Sequence, residues 1–247
     1  AFAAGDPLHG LLASGARLSG LCVEPSAEEA AAAREKLRGT GVQVVEAFLS
    51  PESLPQLIMD WLPSEVDHSG RRSVAIDVLK VKTDSFDASL VDAALGLVEA
   101  RVVIVGMIYN FPPPIKLARL FRQELQPDPG YVPAASLSYW VEFFETRGYF
   151  LYKVLAIDTV WLHRDVLSKF TDADEDLGFP VDEYACYLNV PVHMNAVTPW
   201  IPLSYTREWL LERDPYVALS RAWGNITSHS GHRSALISLD VAAARRG

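Results

Sequence analysis

The chain has 247 residues, with 22 lysines and arginines against 31 aspartates and glutamates, which gives a formal net charge of −9 at pH 7. Because phosphate neutralisation supplies most non-specific affinity for nucleic acid, this acidity argues against a nucleic-acid-binding protein. The 49% hydrophobic content is enough for a sizeable core, and the longest apolar run, Val102 to Tyr109, is too short to cross a bilayer. The two cysteines have no neighbouring Cys or His, so no metal site is expected.

Strand-like and helix-like segments alternate along the first two thirds of the chain, an order typical of a parallel sheet with crossover helices. The predicted strands are 19–23, 42–47, 74–81, 101–108, 149–156 and 159–163. The predicted helices are 27–37, 51–61, 87–98, 115–125 and 136–146. So little chain separates the last two strands that they are expected to pair antiparallel.

The pattern changes near Thr171, where an acidic run gives way to scattered proline and aromatic residues with weak periodicity. We therefore expect an irregular C-terminal extension over 171–247. Several of its aromatic residues are of types favoured in protein interfaces, namely Tyr184, Tyr187, Trp200, Tyr205 and Trp209. They either anchor a protein partner or hold an extension that wraps its own domain.

Candidate site residues stand at predicted strand ends and turns, because ligands of doubly wound sheets bind beyond the carboxyl ends of the strands. Glu24 ends the first predicted strand, where an acid can accept hydrogen bonds from ribose hydroxyls or simply be exposed. Gly5 and Asp6 form the turn before that strand. Asp84 and Asp87 follow the third strand, and Asp87 can equally well cap the next helix.

Two motifs at these strand ends resemble a known enzyme family. Segment 77–87 reads DVLKVKTDSFD and segment 103–115 reads VIVGMIYNFPPPI. Both resemble the FkbM-type branch of the S-adenosylmethionine-dependent methyltransferases, which typically carry a Leu-Lys-Ile-Asp-x-Asp-Ser-Phe-Asp strand end and, in one subgroup, a Glu-Ile-Asn strand before a triple proline. Val23-Glu24-Pro25 is similar to the ribose-binding strand end of that family, and 136–149 and 158–167 are similar to its last helix and closing strand pair.

The resemblance covers roughly residues 1–170 and implies an α/β fold, a Rossmann-like methyltransferase three-layer sandwich. The implied sheet is mostly parallel, with an antiparallel closing strand. Its first strand is expected to be missing, since the chain opens on the turn that normally follows that strand. The expected organisation is a methyltransferase-like domain over 1–170 and the C-terminal extension over 171–247.

The chain departs from the family pattern at positions expected to line the cofactor pocket. Lys82 stands where the family has an aspartate, and Met107 or Ile108 stands where it has a glutamate. The glycine-rich turn is reduced to Ala3-Ala4-Gly5-Asp6. Reversing a unit charge about 5 Å from the cofactor's positive sulfonium changes the interaction by up to about 6 kcal/mol at an effective dielectric near 20. Alternatively, Lys82 points outward and another residue replaces the acid.

Two functions follow as expectations. The first is a non-catalytic protein with a degenerate cofactor site, acting as a structural or accessory subunit of a larger complex, such as an organellar photosynthetic or respiratory membrane complex. The alternative is an active methyltransferase on a hydroxyl-type substrate. There Gly5, Asp6 and Glu24 would bind S-adenosylmethionine, and Asp84 or Asp87 would orient the substrate or take its proton.

Overall fold

The computed structural model describes residues 10, 13–62, 74–83, 86–109, 111–119, 121, 134–171 and 182–190. The chain divides into two compact units, Ala1–Arg72 and Ser73–Gly247. The described parts form an α/β protein in which strands and helices alternate, with one sheet in each unit. Within these ranges, no helix is long and apolar enough to span a membrane.

The first unit contains a two-stranded parallel sheet. Its elements are β1 (Ser19–Glu24), α1 (Ala27–Lys36), β2 (Gly41–Glu46) and α2 (Leu54–Trp61). Helix α1 begins after Ser26, whose hydroxyl accepts a hydrogen bond from the Glu29 amide at 3.4 Å, as its sequence predicts. The strand register places Glu24 opposite Glu46, so both strands end on a carboxylate.

The second unit contains a mixed four-stranded sheet. Its elements are β3 (Val74–Val81), α3 (Asp87–Leu95), β4 (Val98–Gly106), α4 (Leu137–Glu145), β5 (Tyr149–Leu155), β6 (Asp158–His163), α5 (Arg164–Thr171) and α6 (Glu183–Leu188). The strand order is β3-β4-β6-β5. Strands β3 and β4 are parallel, and β6 runs antiparallel to both β4 and β5, which confirms the predicted antiparallel pair.

Aromatic residues of α4 form much of the core of this unit. The Phe144 ring stacks on Trp161 of β6 with centroids 4.6 Å apart and on Trp140 at 5.3 Å. All three side chains are completely buried. The Trp140 indole also donates to the Gly106 carbonyl at 2.9 Å, so its one polar group is satisfied inside the core.

The predicted helix over 115–125 is wrong where the structure describes it. Residues 115–119 are non-helical, and Ala118 forms an isolated bridge with Ala135. The Ser136 hydroxyl donates to the Ile115 carbonyl at 2.5 Å and accepts from the Leu117 amide at 2.9 Å. These buried bonds use backbone groups that a helix would have paired internally.

Helix α6 lies within the C-terminal extension that we expected to be irregular. It begins after Asp182, whose carboxylate accepts hydrogen bonds from the Tyr184 and Ala185 amides at 2.8 and 3.3 Å. The helix packs on α4 and β5. This part of the extension is therefore packed against α4 and β5 as part of the second unit.

Candidate functional site

The candidate site of the second unit lies at the edge where β3 and β4 end. Val81, the last residue of β3, faces Val105 of β4, and Gly106 faces Asp158 at the start of the antiparallel β6. Lys82, the next residue after β3, therefore comes to the same edge as Gly106 and Asp158. Ligands of open α/β sheets bind beyond the carboxyl ends of parallel strands, and those ends of β3 and β4 lie at this edge.

Lys82 forms an ion pair across this edge. Its Nζ lies 3.0 Å from Asp158 Oδ1, and the two side chains are 28% and 14% exposed. Gly106 lies beside the pair, since a Cβ placed on it would be 3.8 Å from Lys82 Cγ and 3.7 Å from Asp87 Oδ2. The positive charge that the sequence places at this edge is thus paired with a carboxylate supplied by β6.

Asp87 is the one candidate catalytic residue within the described ranges. Its side chain is completely buried. Its Oδ1 accepts hydrogen bonds from the Thr83 amide at 3.1 Å and from the Thr83 hydroxyl at 2.5 Å. As the first residue of α3, its negative charge is also favoured by the helix dipole. Asp87 therefore ties the turn after β3 to the start of α3.

Hydrogen bonds and apolar side chains fix the end of β4. The Thr159 hydroxyl donates to the Val105 carbonyl at 3.2 Å and accepts from the Trp161 indole at 2.8 Å. Met107 and Ile108, which follow β4, are buried. The end of β4 is therefore held by internal contacts of the core.

Helix α6 is joined to the segment that follows β4. The Tyr187 hydroxyl donates to the Tyr109 carbonyl, and its ring is almost completely buried. Burial raises the pKa of Tyr187. Tyr184 and Leu188, one turn apart on the same helix, are 37% and 44% exposed. Tyr187 thus packs within its own chain, whereas Tyr184 and Leu188 face outward.

Glu183 at the start of α6 lies in a partly buried position. Burial raises the pKa of its carboxyl group, and the Ser138 hydroxyl partly opposes this shift. The negative charges of Glu145 and Asp182 raise this pKa further, whereas the positive charge of Lys116 lowers it.

The remaining candidate residues lie elsewhere. Glu24 ends β1 in the first unit and is half-buried. Several predicted residues fall outside the described ranges, namely Gly5, Asp6, Asp84, Trp200, Tyr205 and Trp209.

A second group of polar side chains, which the sequence did not point to, lies at the start of β4. Glu99, His163 and Asp165 each offer a potential ligand atom, and these atoms all lie within 4.8 Å of one another. In the sequence, the closeness of His163 and Asp165 is the local indication of this group. Glu99 is far from them in the sequence and comes near because β4 pairs with β6.

No family model, no curated protein and no solved structure matches this chain.

Proposed function

We propose that this chain is a methyltransferase-fold protein with a degenerate cofactor site, and that it serves as a non-catalytic structural or accessory subunit of a larger complex. The observation that carries the proposal is the state of Asp87. Its side chain is completely buried and its Oδ1 accepts two hydrogen bonds from Thr83. A general base must reach the proton that it removes, and in this structure the Asp87 side chain is closed to solvent and held by Thr83.

The order of the elements in the second unit supports the relationship to methyltransferases. Strands β3 and β4 are parallel and each is preceded or followed by a helix, while β6 is antiparallel to both of its neighbours. A mixed sheet with β6 running against both neighbours supports our proposal of a sheet of the methyltransferase type with an antiparallel closing strand. Ser136, which caps α4, lies in segment 136–149, one of the segments that resemble the family.

The charge at the end of β3 supports a loss of cofactor affinity. An acid at position 82 would attract the sulfonium, whereas the Lys82 and Asp158 pair carries no net charge. Replacing one negative charge about 5 Å away by a neutral pair removes up to about 3 kcal/mol of attraction at an effective dielectric near 20. This is about half the change that an unpaired lysine would cause, and it still corresponds to a large fall in affinity.

The outward face of α6 supports a role in an assembly. Tyr187 fixes the helix to its own unit, and Tyr184 and Leu188 present an aromatic and an aliphatic side chain to the outside. Aromatic anchors of this kind often dominate the energy of protein interfaces. We propose that this face contacts a protein partner, for which an organellar photosynthetic or respiratory membrane complex is one setting.

Calorimetric titration of the full-length protein with S-adenosylmethionine tests the loss of cofactor binding. We expect no binding at micromolar affinity for the wild type. The double variant Lys82→Asp with Asp158→Asn restores the family's acid without placing two carboxylates side by side, and we expect it to bind more tightly than the wild type. Micromolar binding by the wild type, with methyl transfer to a hydroxyl compound, would overturn the proposal in favour of an active enzyme.

The assembly role is tested separately with the tagged full chain in its own cells. On native gels we expect the wild type to migrate with a large complex and the variant Tyr184→Ala/Leu188→Ala to migrate as free protein. Asp92→Asn, which changes an exposed carboxylate on α3, is the matched control. Migration of the wild type as free protein would contradict the subunit role.

A further inference from the structure

We propose that Glu99, His163 and Asp165 form a binding site for a divalent transition-metal ion of the Zn²⁺ class. The site lies at the start of β4, at the end of the strand opposite to the Lys82 and Asp158 pair. It is independent of the cofactor site and of the proposed function.

The pairing of the strands brings the three residues together. In the antiparallel register of β4 and β6, Val102 faces Leu162. Glu99 of β4 lies beyond this pair toward the same end of the sheet as His163, the last residue of β6, and Asp165 follows as the second residue of α5. The pairing of β4 with β6 and the immediate start of α5 thus bring the three side chains together, with their ligand atoms within 4.8 Å of one another.

The distances suit a metal ion with short bonds. Bonds from zinc to histidine nitrogen and carboxylate oxygen are about 2.0–2.2 Å, which puts neighbouring ligands of a tetrahedral site about 3.4 Å apart. The distance from His163 Nδ1 to Asp165 Oδ2 is 3.3 Å. The ligand atom of Glu99 is within 4.8 Å of the other two, and its exposed side chain can close the remaining gap by rotation.

The imidazole is already held in place. His163 lies at the end of β6 with only 17% of its side chain exposed, and the Tyr149 ring packs on it edge to face at 5.0 Å. Tyr149 is itself fixed, because its hydroxyl donates to the Ala100 carbonyl at 2.8 Å. A ligand that is ordered before binding loses little conformational entropy when the metal enters.

The charges also favour a divalent ion. A neutral imidazole and two carboxylates carry two negative charges, which balance those of the metal. Arg101, the cation two residues further along β4, is paired with Asp77 Oδ1 at 2.7 Å. One nitrogen and two oxygen ligands suit zinc and its neighbours in the first transition row better than magnesium or calcium, which prefer oxygen ligands alone. The exposure of both carboxylates leaves room for water as a fourth ligand.

Calorimetric titration of the metal-free full-length protein with ZnCl₂ tests this site. We expect one Zn²⁺ to bind per chain, and we expect His163→Gln, Glu99→Gln and Asp165→Asn each to weaken binding at least about tenfold, since loss of even an outer-shell partner costs 10–100-fold. Asp92→Asn, which removes an exposed carboxylate elsewhere in the same unit, should bind as the wild type does. Zn²⁺ should raise the Tm of the wild type more than that of each site variant.

The two carboxylate variants keep the test decisive if His163→Gln does not fold, because Glu99 and Asp165 are exposed. Absence of zinc binding by the wild type would overturn the proposal. So would zinc binding that none of the three substitutions weakens, since the ion would then be held by other residues, such as the histidines at 229 and 232.

Discussion

Lys82 Nζ lies 3.0 Å from Asp158 Oδ1, so a cation that follows β3 is neutralised by the first residue of β6. The pair passes over Gly106, the last residue of the intervening strand β4. The side chains of Lys82 and Asp158 thereby link three strands at the edge where a ligand would bind. The ion pair therefore takes part in the architecture of the sheet.

Breaking this pair should destabilise the second unit. Lys82→Met leaves the mostly buried Asp158 carboxylate without its cation, and we expect a loss of about 1–3 kcal/mol in the free energy of unfolding. Asp158→Asn in the same background should recover part of that loss, because the unpaired charge is then gone. Urea denaturation of both single variants and the double variant measures the coupling energy. Additive effects would show that the two side chains do not interact.

Asp87 should contribute to stability rather than to chemistry. Asp87→Ala removes the acceptor of two hydrogen bonds from Thr83, and we expect a loss of about 2–3 kcal/mol. Asp87→Asn keeps one acceptor oxygen and should lose less.

Asp92 on the same helix is the control for this comparison. Its exposed carboxylate pairs with Arg147 at 2.6 Å, and Asp92→Ala should cost less than about 1 kcal/mol. Thermal and urea unfolding of the three variants measure the difference. Equal losses for Asp87→Ala and Asp92→Ala would contradict a structural role specific to Asp87.

Local patterns in the sequence located most elements but not all of their ends. Strand β3 spans Val74–Val81, as predicted, because a run of mainly apolar residues is bounded by polar ones. Strand β4 begins at Val98 and not at residue 101 as predicted. Its first four residues alternate between buried and exposed, with Val98 and Ala100 buried and Glu99 and Arg101 exposed. The prediction followed the continuous apolar run and missed this alternation.

Features that depend on contacts between residues far apart in the sequence were not predictable from local patterns. The extended conformation of 115–119 depends on Ser136, and the neutralisation of Lys82 depends on Asp158. The contact between Thr83 and Asp87 is local, since the residues are four apart, but their spacing did not show that Thr83 would donate two hydrogen bonds to Asp87 Oδ1. The proximity of Glu99 to His163 likewise depends on the pairing of β4 with β6, two strands far apart in the sequence.

Tyr149 should make the protein sensitive to alkaline pH. Its ring is 3% exposed, and burial raises the pKa of its hydroxyl to about 12. Below pH 10 the hydroxyl is protonated in both the folded and the unfolded chain, so it adds no pH dependence. Between pH 10 and 12 the unfolded chain releases the proton first, and up to about 2–3 kcal/mol of stability is lost.

The variant Tyr149→Phe tests this assignment. It loses the hydrogen bond to the Ala100 carbonyl, so it should be less stable than the wild type by about 1 kcal/mol at pH 8. The difference should shrink as the pH rises above 10, because the phenylalanine does not ionise. Urea denaturation of both proteins at several pH values between 8 and 11.5 measures the difference. A constant difference would show that Tyr149 does not cause the alkaline loss.

Glu183 should weaken the docking of α6 at neutral pH. Burial is the largest cause that raises the pKa of its carboxyl group, and the Ser138 hydroxyl partly opposes it. The negative charges of Glu145 and Asp182 raise this pKa further, whereas the positive charge of Lys116 lowers it. Below the unfolded pKa both states are protonated and the penalty is absent. As the pH rises from the unfolded pKa through the raised folded pKa, the native state loses stability relative to the unfolded chain.

Glu183→Gln removes this penalty while keeping the size of the side chain. We expect the variant to be more stable than the wild type at pH 7 and nearly equal to it at pH 4, with slower hydrogen exchange in α6 at pH 7. The control Glu142→Gln breaks the exposed pair between Glu142 and Lys116, whose charged atoms lie 2.7 Å apart, and should be neutral or slightly destabilising at pH 7. If Glu183→Gln lowered stability equally at both pH values, Glu183 would be acting through the packing of its side chain and not through its buried charge.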